Sequence, residues 1–382
     1  MAIIFFTTNA SHAISPIAHH LEQSYFIQNR SRGVAVMGFI EGILAATFSP
    51  LILVVGFVLW DKIWISSAIL LNITKSSVAG TLFLLVAIFQ TLIFQFPFFE
   101  TTTLNVFMLL VSAVIGIIIG DNTWLRALAL IGTKRVVFVD ALKPFLAAVL
   151  SHIFLDESLT ILQVFGMFLT VGGVLMVSLE KTETKSGSTA DRKDTPSKVV
   201  NKENKSTEVE GIVLERSEED RNGQSLSLKK GYGLAVTNIF LDVMGAIFIK
   251  LYSYNLSSFE INFIRFGFSG YSMGLCAVLV RKCLPTYDKT LIDLFRFPTL
   301  TNREWALIFF GILCVTFACP FLTVYAYLYV ELPICMTLSS LGPVYSVFIV
   351  RVCKAEMITK RTVAGCTLSI GGVVLLYWDM LF

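Results

Sequence analysis

The sequence predicts an all-α integral membrane protein with ten transmembrane helices, arranged as two inverted five-helix repeats. Hydrophobic residues make up 55% of the 382 residues and charged residues only 15%, whereas soluble domains carry about 25% charged residues. The apolar residues lie in long, almost uncharged runs, and an internal repeat relates the two halves of the chain. A helix of roughly 20 apolar residues spans the ~30 Å hydrocarbon layer and satisfies its own backbone hydrogen bonds there.

The first repeat is predicted over residues 33–179 and follows a polar N-terminal tail at residues 1–32. The repeat contains five apolar runs, each of which can cross a bilayer as a helix. These predicted spans cover residues 33–60, 64–96, 104–131, 136–154 and 159–179.

The character of the sequence changes between the two repeats. Residues 180–230 contain 11 basic and 11 acidic residues and no apolar period. Because such a segment has little apolar surface to bury, it is predicted to be a disordered polar loop. The second repeat follows at residues 231–382, with spans predicted over residues 232–252, 259–280, 305–329, 333–352 and 363–378.

The internal repeat is clearest in the fourth and fifth helices of each half, which align without a gap at an offset of 199 residues. A second match, at a slightly different offset, relates the stretch from Asn72 to Lys75 to the stretch from Asn262 to Arg265. Because each copy has an odd number of helices, the second copy must enter the membrane upside down relative to the first. Inverted repeats are typical of transporters, which bind their substrates near the midplane between the copies. The pairs that match at the first offset are Pro144 with Pro343, Glu157 with Glu356, Gly166 with Gly365, and Gly172-Gly173 with Gly371-Gly372.

These five-helix units resemble the EamA-type unit of the drug/metabolite transporter superfamily. The resemblance covers nearly all of the predicted membrane part and implies ten helices, inverted halves, a central cavity and the carriage of small organic metabolites. The second copy departs from the pattern at Cys319-Pro320, where the first copy has Gly120-Asp121, and at Ala326-Tyr327. The resemblance rests in the first copy on Gly120-Asp121, Ala127-Leu128, Ile131-Gly132, Pro144, Glu157, Gly166 and Gly173, and in the second on Ala326, Pro343, Glu356, Gly365 and Gly372.

Several charged or polar residues fall inside the predicted spans, where a charge costs on the order of 2.5–3.5 kcal/mol on insertion scales. Lys75 and Arg265 are related by the repeat, and they are predicted either to converge on an anionic substrate or to reach the headgroups or hold a helix start. Asp140 and Lys143 are three residues apart and are predicted to neutralise each other. The candidates for substrate or coupling contacts are Glu41, Lys75, Asp121, Arg126, Asp242, Asn262 and Arg265.

The acidic candidates Glu41, Asp121 and Asp242 allow two interpretations. Desolvation in the membrane would suit them to proton coupling, and a hydrogen bond to a neighbouring helix would account for them equally well. Glu157 and Glu356 precede a predicted helix, so each is expected to stabilise the N-terminus of that helix.

Proline and glycine supply the candidates for hinges and helix packing. Pro144 and Pro343 each remove a backbone hydrogen bond and are predicted to kink their helices, with a hinge as the alternative. Gly116 and Gly120 form a GxxxG face that is expected to pack against another helix. The repeated glycine pairs Gly172, Gly173, Gly371 and Gly372 are assigned to packing as well.

The predicted function is secondary transport of a small polar organic metabolite by alternating access, with a coupling ion or an exchanged substrate as a further partner. A non-transporting membrane scaffold or receptor-like protein is the alternative. Motifs of membrane-embedded enzymes are not found, and His152 is the one histidine of four inside a predicted span. No cofactor, metal site or nucleic-acid partner is therefore predicted.

Overall fold

The structure is a computed structural model that describes residues 32–60, 63–64, 66–94, 100–179, 208–283, 297–354 and 359–381. Five helices form the first repeat. The first two are α1, Arg32–Trp60, and α2, Ala68–Phe94. Helix α3 comprises Thr103–Ala113, a π-helical turn at Val114–Gly120, and Asp121–Ile131. Helix α4 is broken into α4a, Thr133–Asp140, and α4b, Lys143–Leu155, and α5 is Ile161–Ser178.

The second repeat has the same plan. Helix α6 is Glu208–Tyr252, and α7 comprises Ser258–Asn262, a π-helical turn at Phe263–Gly267, and Phe268–Cys283. Helix α8 comprises Asn302–Ile312, a π-helical turn at Leu313–Ala318, and Cys319–Tyr329. Helix α9 is broken into α9a, Leu332–Ser339, and α9b, Gly342–Lys354, and α10 is Lys360–Leu381.

All ten helices are long and apolar enough to cross a membrane, and the described residues form no β-strand. The predicted fold class is therefore confirmed: this is a multi-pass integral membrane protein. Helix α1 begins and α10 ends on one side of the helix bundle, called here the terminal side. The opposite side, where α5 ends, is called the loop side.

The prediction of a disordered loop over residues 180–230 is wrong for its second part. Helix α6 begins at Glu208, so residues 208–230 continue the membrane helix into the polar phase. The stretch is rich in Glu, Leu, Lys and Arg, which favour helix, and it contains no proline. Extending an existing helix also avoids the unfavourable step of forming a first turn. Residues 180–207, like the tail at 1–31, lie outside the described residues.

Large apolar side chains cover the outside of the helices. Leu92, Ile153 and Phe168 are exposed by 57% or more, as expected for side chains that face lipid. Small polar side chains lie between the helices instead. The Ser112 hydroxyl donates to the Gly245 carbonyl at 2.8 Å, and the Ser49 and Thr323 hydroxyls are 2.6 Å apart. Such bonds hold membrane helices together where the hydrophobic effect does not act.

The two repeated prolines break helices α4 and α9 at matching places. Pro144 and Pro343 each lie in the first turn of the second segment, where a helix leaves backbone N–H groups unpaired in any case. The first segments end at Asp140 and Ser339, which are the residues four positions before the prolines. A proline ring clashes with the carbonyl at that position, so the helix cannot continue through it. Each helix is interrupted for two residues at the place where the sequence predicts a kink.

Helices α5 and α10 cross at a contact that shows the inverted symmetry directly. A Cβ added to Gly166 would lie 2.8 Å from the Gly372 carbonyl oxygen, and one added to Gly173 would lie 2.4 Å from that of Gly365. At the centre, Ser369 Oγ donates to the Thr170 carbonyl at 3.2 Å, and these two residues are themselves repeat-related. Each glycine thus meets the equivalent of the other, while Thr170 meets its own equivalent, and this order requires two antiparallel helices related by a two-fold axis.

The repeated glycine pairs are not equivalent in this contact. Gly173 and Gly372 lie inside it, whereas a Cβ on Gly172 would only touch Leu368 at 4.0 Å. A Cβ on Gly371 would meet nothing within 4 Å.

A second antiparallel contact joins α2 to α7. A Cβ on Gly80 would lie 2.5 Å from the Cα of Gly267, and one on Gly270 would lie 2.4 Å from the backbone nitrogen of Ser77. Gly80 and Gly270 are related by the repeat, as are Ser77 and Gly267. The two-fold relation therefore passes through this contact too.

The two sides of the bundle are not equally closed. On the terminal side, α4b packs against α9a. The repeat maps this pair onto α9b and α4a on the loop side, and within the described residues these two segments make no comparable contact. The last segment of α8 also contacts α6, whereas among the described residues the last segment of α3 meets α1 at the stacked rings of Trp124 and Phe57. The helices therefore meet more closely on the terminal side.

Candidate functional site

Six ionisable side chains from five helices meet in the middle of the bundle. They are three cations and three carboxylates, and the four charges paired between different helices have side-chain exposures of 15–35%. These exposures are large for side chains that lie in the interior of membrane helices, and they show that the charged groups border open space. The members of this central cluster are Lys75, Asp121, Asp140, Lys143, Asp242 and Arg265.

Lys75 and Asp121 form an ion pair between α2 and α3. Lys75 Nζ lies 2.5 Å from Asp121 Oδ2. Asp121 follows the π-helical turn of α3 directly, so the wide turn sets the direction of its side chain toward α2. In the structure Lys75 contacts a neighbouring carboxylate, and its predicted contact with a substrate stays a prediction. Its positive charge is neutralised within the first repeat.

Lys143 connects the two repeats. Its Nζ lies 2.7 Å from Asp242 Oδ2 on α6 and 3.4 Å from Asp140 Oδ1 on its own helix. The predicted pairing of Asp140 with Lys143 is thus present, and the contact with Asp242 is the closer one. Asp140 also accepts a hydrogen bond from Trp124 Nε1 at 3.2 Å. The interruption of α4 lies between Asp140 and Lys143, and both of their side chains join the cluster.

Arg265 differs from the other two cations. It lies in the π-helical turn of α7 and forms neither an ion pair nor a hydrogen bond with any residue that the structure describes. Its Nε is buried without a partner. Asp121 and Asp242 act on Arg265 electrostatically from a longer distance, as does Tyr327 of α8.

Two repeat-related asparagines next to the cluster hold helices together. Asn262 donates through Nδ2 to the carbonyls of Ser258 and Pro320, at 2.8 and 3.2 Å. Asn72 donates to the Ile117 carbonyl at 3.2 Å. Both asparagines are fully buried, so their amides connect the second helix of each repeat to the third.

Glu41 and Arg126 do not join the central cluster. Glu41 is exposed and accepts a hydrogen bond from the Tyr325 hydroxyl, next to a shallow apolar groove of about 280 Å³ between α1 and α8. Arg126 is exposed and takes part in none of the ion pairs of the described residues. Charge and predicted depth alone could not distinguish these two residues from Asp121 and Asp242.

A second polar site lies at the terminal side of the bundle. The Lys250 ammonium contacts the Glu157 carboxylate and donates to the Val330 carbonyl at 2.8 Å. Glu157 Oε2 in turn accepts from the backbone N–H of Leu332 at 2.9 Å. This network of Glu157, Lys250, Val330 and Leu332 is called the terminal-side latch, and it lines a cleft of about 370 Å³.

Glu157 contacts a helix of the other repeat and not the helix that follows it. Glu157 was expected to stabilise the start of the helix that follows it, but the structure directs its carboxylate to the first residue of α9a in the other repeat. Thr160 and Gln163 cap α5 by a reciprocal pair of hydrogen bonds, so that helix has no need of Glu157. Glu356 lies outside the described residues.

Sequence reasoning did not foresee the cross-repeat pair of Lys143 with Asp242 or the latch. Both depend on how helices of different repeats are placed, which no local pattern encodes. One signal was available, because Pro320 occupies the position that corresponds to Asp121 and so removes a counter-ion from the second repeat. Among the described residues, no three His, Cys, Asp or Glu side chains are arranged to hold a metal ion.

Ten membrane helices in two antiparallel repeats, with charged side chains gathered between them, define the class of inverted-repeat membrane transporters. The model of the EamA-like transporter family matches residues 34–179 and 229–378. The chain therefore belongs to the EamA-like transporter family, whose members are transporters.

The chain was also compared with solved structures and with curated proteins. One solved crystal structure resembles the chain with a TM-score of 0.60 and 12% sequence identity, over 91% of this chain and 99% of the other. At that identity the similarity shows the fold alone. No curated protein matches the chain in sequence.

Proposed function

We propose that the protein is a secondary transporter that carries a small polar organic metabolite across a membrane by alternating access. The observation that carries this proposal is the central cluster, because its charges come from both repeats and border open space in the middle of the bundle. Burying charges in a membrane interior is unfavourable, and such residues usually mark a substrate or ion pathway.

The unequal closure of the two sides supports the alternating part of the proposal. In an inverted-repeat transporter, the two copies exchange shapes and so open the site to one side at a time. The contact of α4b with α9a and the latch both lie on the terminal side, whereas the symmetry-related segments of the loop side lack a comparable contact. Under this proposal the structure is one of two related states, and the site is reached from the loop side, where these contacts are fewer.

A scaffold or receptor-like protein accounts less well for these features. A scaffold needs packed helices, which small residues and amide bonds already supply here. Three cations and three carboxylates in the interior would only make its insertion less favourable. An enzyme is disfavoured because the central cluster contains no nucleophile with an adjacent base.

Counterflow in reconstituted vesicles tests the proposal. Vesicles that contain purified protein are loaded with one unlabelled metabolite, and uptake of the labelled compound is measured for a panel of metabolites. We expect uptake of at least one compound above that of protein-free vesicles. We also expect Asp242→Asn to reduce this uptake at least about tenfold, because it weakens the cross-repeat pair with Lys143.

The matched control is Glu100→Gln, which removes an exposed carboxylate that precedes α3. It should transport like the wild type. If the wild type moves no member of a broad panel, the transport proposal fails. If Asp242→Asn transports as well as Glu100→Gln, the central cluster is not the site.

A further inference from the structure

We propose that Arg265 binds an oxyanion group, a carboxylate or a phosphate, of the transported molecule, and that its repeat-related residue Lys75 does not. This inference rests on the proposed transport function and specifies the substrate class at the same site. The inference follows from a difference between the surroundings of Arg265 and those of Lys75. The fold does not require this difference.

The second repeat has no counter-ion at the position that corresponds to Asp121. Lys75 has Asp121 at 2.5 Å, but the position in α8 that corresponds to Asp121 is Pro320, which carries no charge. Arg265 therefore lacks the partner that neutralises Lys75. A cation in the membrane interior without a contacting carboxylate is costly unless something else supplies the negative charge.

The carboxylates nearest to Arg265 are already engaged. Asp121 is held by Lys75, and Asp242 is held by Lys143 at 2.7 Å. Both act on Arg265 only from a longer distance. The central cluster contains equal numbers of cations and carboxylates. Lys75 and Lys143 together contact all three carboxylates, so the N–H donors of Arg265 remain open to a ligand.

The backbone around Arg265 also differs from that around Lys75. Arg265 lies in a π-helical turn at Phe263–Gly267, whereas α2 is α-helical throughout. Single π-helical turns occur often at functional sites, where they redirect a side chain. The symmetry between α2 and α7 is thus broken at the same position where the counter-ion is missing.

The guanidinium group packs against two glycines. A Cβ added to Gly116 on α3 would lie 3.1 Å from Arg265 Nη2, and one added to Gly245 on α6 would lie 3.8 Å away. The group therefore lies between α3 of the first repeat and α6 of the second, next to both helices. An arginine presents parallel N–H donors that match both oxygens of a carboxylate or phosphate, which a lysine ammonium cannot do.

The test is a thermal-shift titration of the purified full-length protein with small carboxylates and phosphate monoesters. Each anion is compared with its uncharged amide or alcohol, and acetate and inorganic phosphate are included. We expect at least one anion to raise the Tm of the wild type while its uncharged counterpart does not. Arg265→Gln should weaken that binding at least about tenfold, because a charged, two-pronged hydrogen bond is lost.

Three further variants separate charge, geometry and fold. Arg265→Lys keeps the charge but loses the two parallel donors, so its affinity should lie between those of wild type and Arg265→Gln. Pro320→Asp gives Arg265 the counter-ion that Lys75 has, and it should weaken anion binding with the arginine still in place. Arg281→Gln removes an exposed arginine from the loop-side end of the same helix and should bind like the wild type.

The inference is overturned if anion binding survives in Arg265→Gln, or if no anion of the panel stabilises the wild type. Counterflow with the same compounds separates this failure from a failure of the transport proposal. Uptake of an uncharged or cationic compound that does not depend on Arg265 would reject the oxyanion assignment and leave transport standing. Absence of uptake for every compound would reject both.

Discussion

At the scale of single residues, the sequence predicts which side chains are unusual but not which of them meet. Lys75, Asp121, Asp242 and Arg265 were recognisable because charges are rare at membrane depth. Their partners depend on the rotation and height of each helix relative to its neighbours, which hydrophobic runs do not encode. For the same reason Glu41 was as plausible a member of the central cluster as Asp242, although it lies in a groove between α1 and α8.

The pair of Lys75 and Asp121 gives a prediction at this scale. Asp121→Asn leaves the ammonium of Lys75 partly buried without a counter-ion, so the free energy of unfolding should fall by about 1–3 kcal/mol. The double variant Lys75→Met/Asp121→Leu removes both charges and should recover most of this loss, since an apolar pair carries no desolvation cost. Thermal melts in detergent measure both effects. A single variant that is as stable as the wild type would show that the pair does not form.

At the scale of helices, the sequence predicts breaks and contacts wherever a backbone rule applies. Pro144 and Pro343 interrupt their helices because the ring excludes the hydrogen bond four residues back. The repeated glycines indicate close helix crossings. Which glycine of each Gly-Gly pair lies in the crossing depends on the helix face that meets the partner helix, and the sequence does not show this. Residues 208–230 show the opposite case, because a polar composition alone could not reveal that α6 extends through them.

The glycine pair in α5 supplies a matched prediction. Gly173→Ala would bring a methyl group within 2.4 Å of the Gly365 carbonyl oxygen, so it should lower the free energy of unfolding by about 1–3 kcal/mol. Gly172→Ala adds the same methyl group at a position with room, and it should be neutral or slightly stabilising because alanine favours helix. Thermal shift of the two variants compares them directly. Equal melting temperatures would contradict the crossing of α5 and α10 at Gly173.

At the scale of the whole molecule, the inverted arrangement could be predicted from an odd number of helices in each copy. Which side of the bundle is the more closed one could not be predicted, because both repeats carry the same sequence pattern. The terminal-side latch breaks this equivalence. Residues 51–60 at the loop-side end of α1 contain no basic residue that could take the role of Lys250.

We therefore predict that the latch sets the balance between the two states. Glu157→Gln weakens the contact with Lys250, so hydrogen–deuterium exchange should become faster at the start of α9a and at the end of α4b. If the two sides open alternately, exchange in α4a and α9b should slow in the same sample. Glu304→Gln, which alters a capping glutamate at the start of α8, should change exchange only locally. Faster exchange on the terminal side without slower exchange on the loop side would contradict the coupling.

The meeting of Thr170 with Ser369 has a consequence for any such motion. The two-fold axis that relates the repeats passes through this contact. If the two repeats exchange conformations, the contact between Thr170 and Ser369 therefore stays in place. The crossing of α5 and α10 is thus a fixed reference for distance measurements in the protein. Spectroscopic probes on its lipid-facing sides should keep one separation throughout a transport cycle, and every changing distance in the molecule can be gauged against it.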